Sequence, residues 1–103
     1  MVDAFYFNKE SIEANAPVLA GVYVIFSGTL NSKREIVPES YIYIGEAKNI
    51  QERLLQHHDG ESDQSECIWN NESTHFMYTE IADDNDRLEF EKGLIDQFGT
   101  VCN

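Results

Sequence analysis

Apolar residues crowd into three short runs, separated by polar stretches of different character. The run AGVYVIFSG at 20–28 is continuous, rich in β-branched and aromatic side chains, and glycine stands near both ends. That pattern predicts a strand buried on both faces. YIYIG at 41–45 predicts a second strand that ends on glycine. HFMYTEIA at 75–82 alternates, with Phe76, Tyr78 and Glu80 on one face and Met77, Thr79 and Ile81 on the other, and predicts a third.

Between and around these runs the spacing turns helical. NKESIEAN at 8–15 predicts a short helix capped by Asn8 and ended by Ala16-Pro17. NIQERLLQHH at 49–58 predicts a helix that starts at Lys48 or Asn49 and is closed by Asp59-Gly60. DRLEFEKGLIDQF at 86–98 predicts the last helix, with ADDND before it as turn and cap and GTVCN after it as a tail. The polar stretch 29–40, TLNSKREIVPES, reads as a connection short enough for an antiparallel hairpin. The stretch 61–74 reads as a loop with a turn of helix around Cys67-Ile68-Trp69. The order is β-β-α-β-α after a small N-terminal helix. It predicts a single α/β (α+β) domain over 1–103, with a small, three-stranded, mostly antiparallel sheet flanked by helices.

Two helices carry ionisable groups where apolar ones are expected. In the helix at 49–58, Ile50 and Leu54 form the stripe, and Arg53 and His57 lie one turn apart beside it. In the last helix the row Leu88, Glu91, Ile95, Phe98 holds one carboxylate. Each has a plain alternative: an ion pair for Arg53, a packed or surface role for His57, a rim position for Glu91. Two such groups beside two tyrosine-bearing strands point instead to a shared site.

Composition narrows the setting. The chain has 103 residues, 42% hydrophobic and 12% aromatic, which suits one globular domain with a modest core. No apolar run approaches the roughly 18–20 residues of a membrane span. The N-terminus shows no secretory pattern, so a cytoplasmic location is expected, with no membrane association. Cys67 and Cys102 make neither a CxxC nor a metal pattern and are expected to be unpaired packing or surface residues in a reducing compartment. The net charge of -12 is uneven: residues 1–60 hold eight acids and five bases, residues 61–103 eleven acids and two bases. Taken alone, that opposes nucleic-acid binding.

The residues themselves resemble a known family. Gly21-Val22-Tyr23 matches the first motif of the GIY-YIG nuclease domain, and Tyr43-Ile44-Gly45 the second. The stretch from Gly45 through Arg53-Leu54 is similar to the family's helix entry, with its arginine in register. Glu91 matches the family's metal-binding glutamate and Asn103 its terminal asparagine. The resemblance runs from about 16 to 103 and extends to the short domain at the N-terminus of the excision-repair nuclease subunit. It departs at Glu46, where many relatives carry lysine or a small residue, and at Thr100, where relatives often carry proline.

The resemblance implies a metal-dependent DNA endonuclease. Glu91 would anchor one divalent cation, Mg²⁺ or Mn²⁺, which keeps waters and takes further ligands from phosphate. Arg53 would clamp the phosphate with its planar fork. Tyr23 or Tyr43 would activate water, and a free phenol with a pKa near 10 needs help to do so. His57 is a further candidate base, Gly45, Lys48 and Asn103 candidate substrate contacts. The charge implies weak, salt-sensitive DNA binding. Two other readings follow from the same acidity: a catalytically weak binding or regulatory module, and a nuclease brought to substrate by a basic protein partner.

Overall fold

The structure, a computed structural model, describes residues 3–103. In chain order its elements are β1 (Phe5–Tyr6), α1 (Lys9–Asn15), β2 (Gly21–Leu30), β3 (Ile36–Ala47), α2 (Ile50–His58), α3 (Ser65–Asn70), β4 (His75–Glu80) and α4 (Asp84–Phe98). The sheet order is β1-β4-β2-β3 and every neighbouring pair is antiparallel. The sheet therefore has four strands rather than three. The extra one, β1, is two residues long, too short for any periodic signal, and pairs Phe5 and Tyr6 with Phe76 and His75.

β2 is central and its first six residues are buried, because both faces are covered. Tyr23 and Ile25 face Ile12, Ile50, Leu54 and Ile68 from α1, α2 and α3. Val22, Val24 and Phe26 face Leu94, Ile95 and Phe98 of α4. The expected connection at 29–40 is largely strand. Only 31–35 turns, held by Asn31 Oδ1, which accepts from the amides of Lys33 and Glu35. Its polar sequence reflects a hairpin tip standing clear of both helical layers.

The caps follow from the sequence: Asn8 accepts from the Ser11 amide and Asn49 from the Glu52 amide. α4 begins two residues earlier than its periodicity suggests, capped by Asp83. Its inward row also differs from the expected one. Leu88 is 51% exposed, and the row that meets the sheet is Arg87, Glu91, Leu94 with Ile95, and Phe98. The helix begins its contact with a cation because an acid waits for it on β3.

The cysteines are not free. Cys67 and Cys102 form a disulfide with Cα atoms 6.0 Å apart. The tail runs back along β3, where the Val101 and Cys102 amides donate to Tyr41 O and Ile42 O. That return delivers Cys102 to Cys67 within α3. A separation of 35 residues leaves no spacing pattern to read. No helix among the described residues is long and apolar enough to cross a membrane.

Candidate active site

A bulge in β3 aims the second tyrosine. β2 pairs Ile25 with Tyr43 but Phe26 with Tyr41, so Ile42 is an extra residue opposite no partner. Strict alternation would turn Tyr41 and Tyr43 to one face. The bulge separates them. Tyr41 packs on Phe98 of α4, ring centroids 4.4 Å apart. Tyr43 turns to the other face, its ring 6.2 Å from that of Tyr23 and 5.1 Å from His57.

Gly45 lies directly opposite Tyr23 in the register. A Cβ there would fall 2.6 Å from Tyr23 Cζ and 2.8 Å from Tyr43 Cε2, so the space that admits both phenols exists only over glycine. Beyond Gly45 the chain turns into α2, whose helical spacing sends Arg53 and His57 toward the same wall. His57 is completely buried, and its Nε2 stands 2.7 Å from the Tyr23 hydroxyl. Arg53 is half-buried and donates from Nη1 to Gln56 Oε1 at 2.9 Å.

Burial dominates the electrostatics. It raises the Tyr23 phenol far above its ordinary range; the neighbouring Tyr43 adds to this, and the Arg53 guanidinium opposes it. Tyr43 is raised as well, by burial first, again against Arg53, with the charge of Glu91 pushing upward. His57 is pushed down to about 4 by burial and then by Arg53. Glu91 is raised by burial and by the nearby carboxylate of Glu46. Glu91, on α4, thus shares a field with both tyrosines although its helix covers the opposite face of the sheet.

Glu46 is not a bare acid. Its Oε2 accepts from Arg87 Nε at 2.6 Å, and Arg87 Nη2 donates to Asp84 at 2.6 Å. Arg87 Nη1 donates to the carbonyls of Ile81 and Ala82. At this strand end the acid comes from β3 and the cation from α4. Glu46, Lys48, Asn49, Glu52, Arg53 and Gln56 line an open cleft of about 350 Å³ beside the tyrosines. Lys48 is exposed at its rim, close enough to Asp84 to favour that carboxylate's charge.

Asn103 lies beneath the site. Its Oδ1 accepts from the Ile44 amide at 2.8 Å and its Nδ2 donates to Ile44 O at 2.7 Å. The side-chain amide pairs with β3 as a strand residue does, between Tyr43 and Gly45. Thr100, one turn of tail earlier, donates its hydroxyl to the same Oδ1.

The structure brings Tyr23, Tyr43, Gly45, Arg53, His57 and Glu91 together, sets Lys48 at the margin, and uses Asn103 on the backbone. Sequence reasoning missed Arg87, although it stands four residues before Glu91 on the same helix row. It also missed Ser62 and Ser65, which lie behind His57 and carry no local signal.

The donor set suits a hard divalent cation. Glu91 has no ion-pair partner among the described residues, and burial beside Glu46 makes its negative charge costly without a cation. Among those residues no group of three His, Cys, Asp or Glu side chains gathers as a metal cage. One carboxylate, completed by water and substrate oxygens, is the arrangement Mg²⁺ accepts.

Residues 19–103 match the family model for the GIY-YIG catalytic domain, and the chain belongs to that family. Its fold is that of the GIY-YIG N-terminal endonuclease domain of UvrC from Thermotoga maritima. The magnesium-bound form of that domain matches with a TM-score of 0.66 at 22% identity, covering 89% of this chain and 94% of that one. A point mutant bound to its catalytic divalent cation gives 0.65 at 23% identity, covering 89% and 93%. No curated protein matches the chain.

Proposed function

We propose that this protein is a metal-dependent endonuclease that hydrolyses phosphodiester bonds of DNA. One observation carries the reading. Two phenols, a guanidinium, a buried imidazole and a carboxylate that has no cationic partner among the described residues converge around one glycine-made gap at the end of β3. Membership of the family and the magnesium-bound endonuclease domain of similar fold support it.

Each residue has a task. Arg53 grips a phosphate through two parallel hydrogen bonds. Glu91 holds Mg²⁺ or Mn²⁺, which when bound supplies charge stabilisation to the pentavalent transition state and to the leaving oxygen. Tyr43 is the more exposed phenol and meets the attacking water. The water passes a proton to Tyr43 Oη as its oxygen bonds to phosphorus. Tyr43 hands its own proton to the neighbouring phenol of Tyr23, ring centroids 6.2 Å apart, and Tyr23 hands its proton to His57 Nε2. One proton moves from water to imidazole, the bond to the leaving oxygen breaks, and the alkoxide released takes a proton from solvent. Both phenols titrate above their ordinary range, so a relay of protons fits them better than a standing phenolate. Phosphate on Arg53 also cancels part of the repulsion that depresses His57, so substrate binding makes the acceptor more basic.

DNA binding is weak in this account. Arg87 is committed to Glu46 and Asp84, leaving Arg53 and Lys48 to meet phosphates. With two such contacts, log affinity falls against log salt with a slope of about -2. The test uses purified protein at low salt with supercoiled plasmid, single-stranded DNA, branched DNA and RNA, in Mg²⁺, Mn²⁺ or EDTA. Metal-dependent cleavage that Arg53→Ala abolishes supports the reading; no cleavage of any substrate, or cleavage in EDTA, overturns it.

A further inference from the structure

Behind His57 stands a chain of hydrogen bonds that ends on the backbone. His57 Nδ1 lies 2.6 Å from Ser62 Oγ, and Ser62 Oγ lies 2.8 Å from Ser65 Oγ. Ser65 Oγ donates to Gln56 O at 3.3 Å. Ser65 Oγ also accepts from the Ser62 amide at 3.1 Å. Ser65 is buried and Ser62 half-buried.

The bond from Ser65 to Gln56 O gives this chain its direction. A carbonyl oxygen only accepts, so the single proton of Ser65 points to Gln56 O. Ser65 Oγ then accepts from Ser62, Ser62 Oγ accepts from His57, and His57 carries its proton on Nδ1. Nε2 is left bare, facing the Tyr23 hydroxyl. Gln56 O also accepts from the Glu61 amide at 2.9 Å, and the Ser65 hydroxyl is its second donor.

We propose that Ser62, oriented by Ser65, is a positioning residue that holds His57 as its Nδ1–H tautomer and keeps Nε2 open to the Tyr23 proton. An imidazole nitrogen's role is set by what the other nitrogen bonds. A base oriented by a third group is the logic of catalytic triads on unrelated folds. Here the third group is a neutral hydroxyl. It fixes the tautomer without the charge stabilisation a carboxylate gives, so the imidazolium formed during turnover discharges readily. The charged and titratable groups around this imidazole are Tyr23 from β2, Tyr43 from β3 and Arg53 from its own helix; none of them offers Nδ1 an acceptor.

The inference rests on the nuclease reading for its consequence but not for its test. Nitrogen NMR of the free, 15N-labelled full chain reads the tautomer directly, with His57→Gln assigning the signals. The expected result is a protonated Nδ1 and a bare Nε2. Ser62→Ala shifts His57 toward the other tautomer and lowers kcat about 10-fold with KM held, and Ser62→Thr restores both readings. A protonated Nε2 in the wild-type protein, or a tautomer unmoved by Ser62→Ala in a variant that melts like wild type, overturns the proposal. If the tautomer behaves as stated while Tyr23→Phe and His57→Gln leave cleavage unchanged, the catalytic reading fails and the positioning role stands.

Discussion

The Tyr23 hydroxyl stands 2.7 Å from His57 Nε2, wholly inside the protein. The pair joins the central strand to α2 and ties the site to stability. His57 titrates at about 4, well below its ordinary 6.5, so the folded state binds its proton less readily than the unfolded chain. The contribution is present above pH 6.5 and is lost as pH falls from 6.5 to 4, amounting to about 3 kcal/mol. Urea midpoints across that window should fall, and His57→Gln should flatten the fall. His75, also lowered by burial, leaves a residual slope in that variant.

Gly45→Ala is expected to do damage that its size does not suggest. The added methyl meets the Tyr23 and Tyr43 rings together, in a space with no flexible side chain to yield. Overpacking of this kind costs about 1–3 kcal/mol. Urea denaturation should register that loss, and cleavage should disappear because both phenols are displaced.

Glu46→Lys should destabilise this protein. A lysine would face Arg87, already fixed by Asp84 and two carbonyls, and would replace a 2.6 Å ion pair with repulsion. A lower melting temperature for Glu46→Lys, with a smaller drop when the same change is made in an Arg87→Ala background, checks the coupling.

Reduction of the Cys67–Cys102 disulfide should loosen the tail that carries Asn103. Opening a link across 35 residues costs about 2–4 kcal/mol. Melting with and without reductant, paired with mass spectrometry of the unreduced chain, tests it. Cys67→Ser should melt like the reduced protein.

The parts legible in the sequence were those with local causes. The buried run 20–28, the glycine at the end of YIYIG and the Asn49 cap place Tyr23, Gly45 and Arg53 on their elements without reference to anything distant. The convergence was not legible. The bulge at Ile42 that parts Tyr41 from Tyr43 is a pairing event between strands. Arg87 reads as an ordinary surface cation until β3 presents Glu46 to it. Cys102 reaches Cys67 only because the tail folds back along β3. Ser62 and Ser65 gain meaning from the imidazole in front of them.

The central claim is that Glu91 holds the cation that drives phosphodiester cleavage. Single-turnover nicking of supercoiled plasmid in Mg²⁺ at low salt, wild type against Glu91→Gln, tests it most directly. Glutamine keeps the shape and removes the charge. The account predicts measurable nicking by wild type and a loss of about 100-fold or more in a variant that melts at least as high, since a half-buried carboxylate beside Glu46 has been neutralised. Equal rates for the two proteins would contradict it.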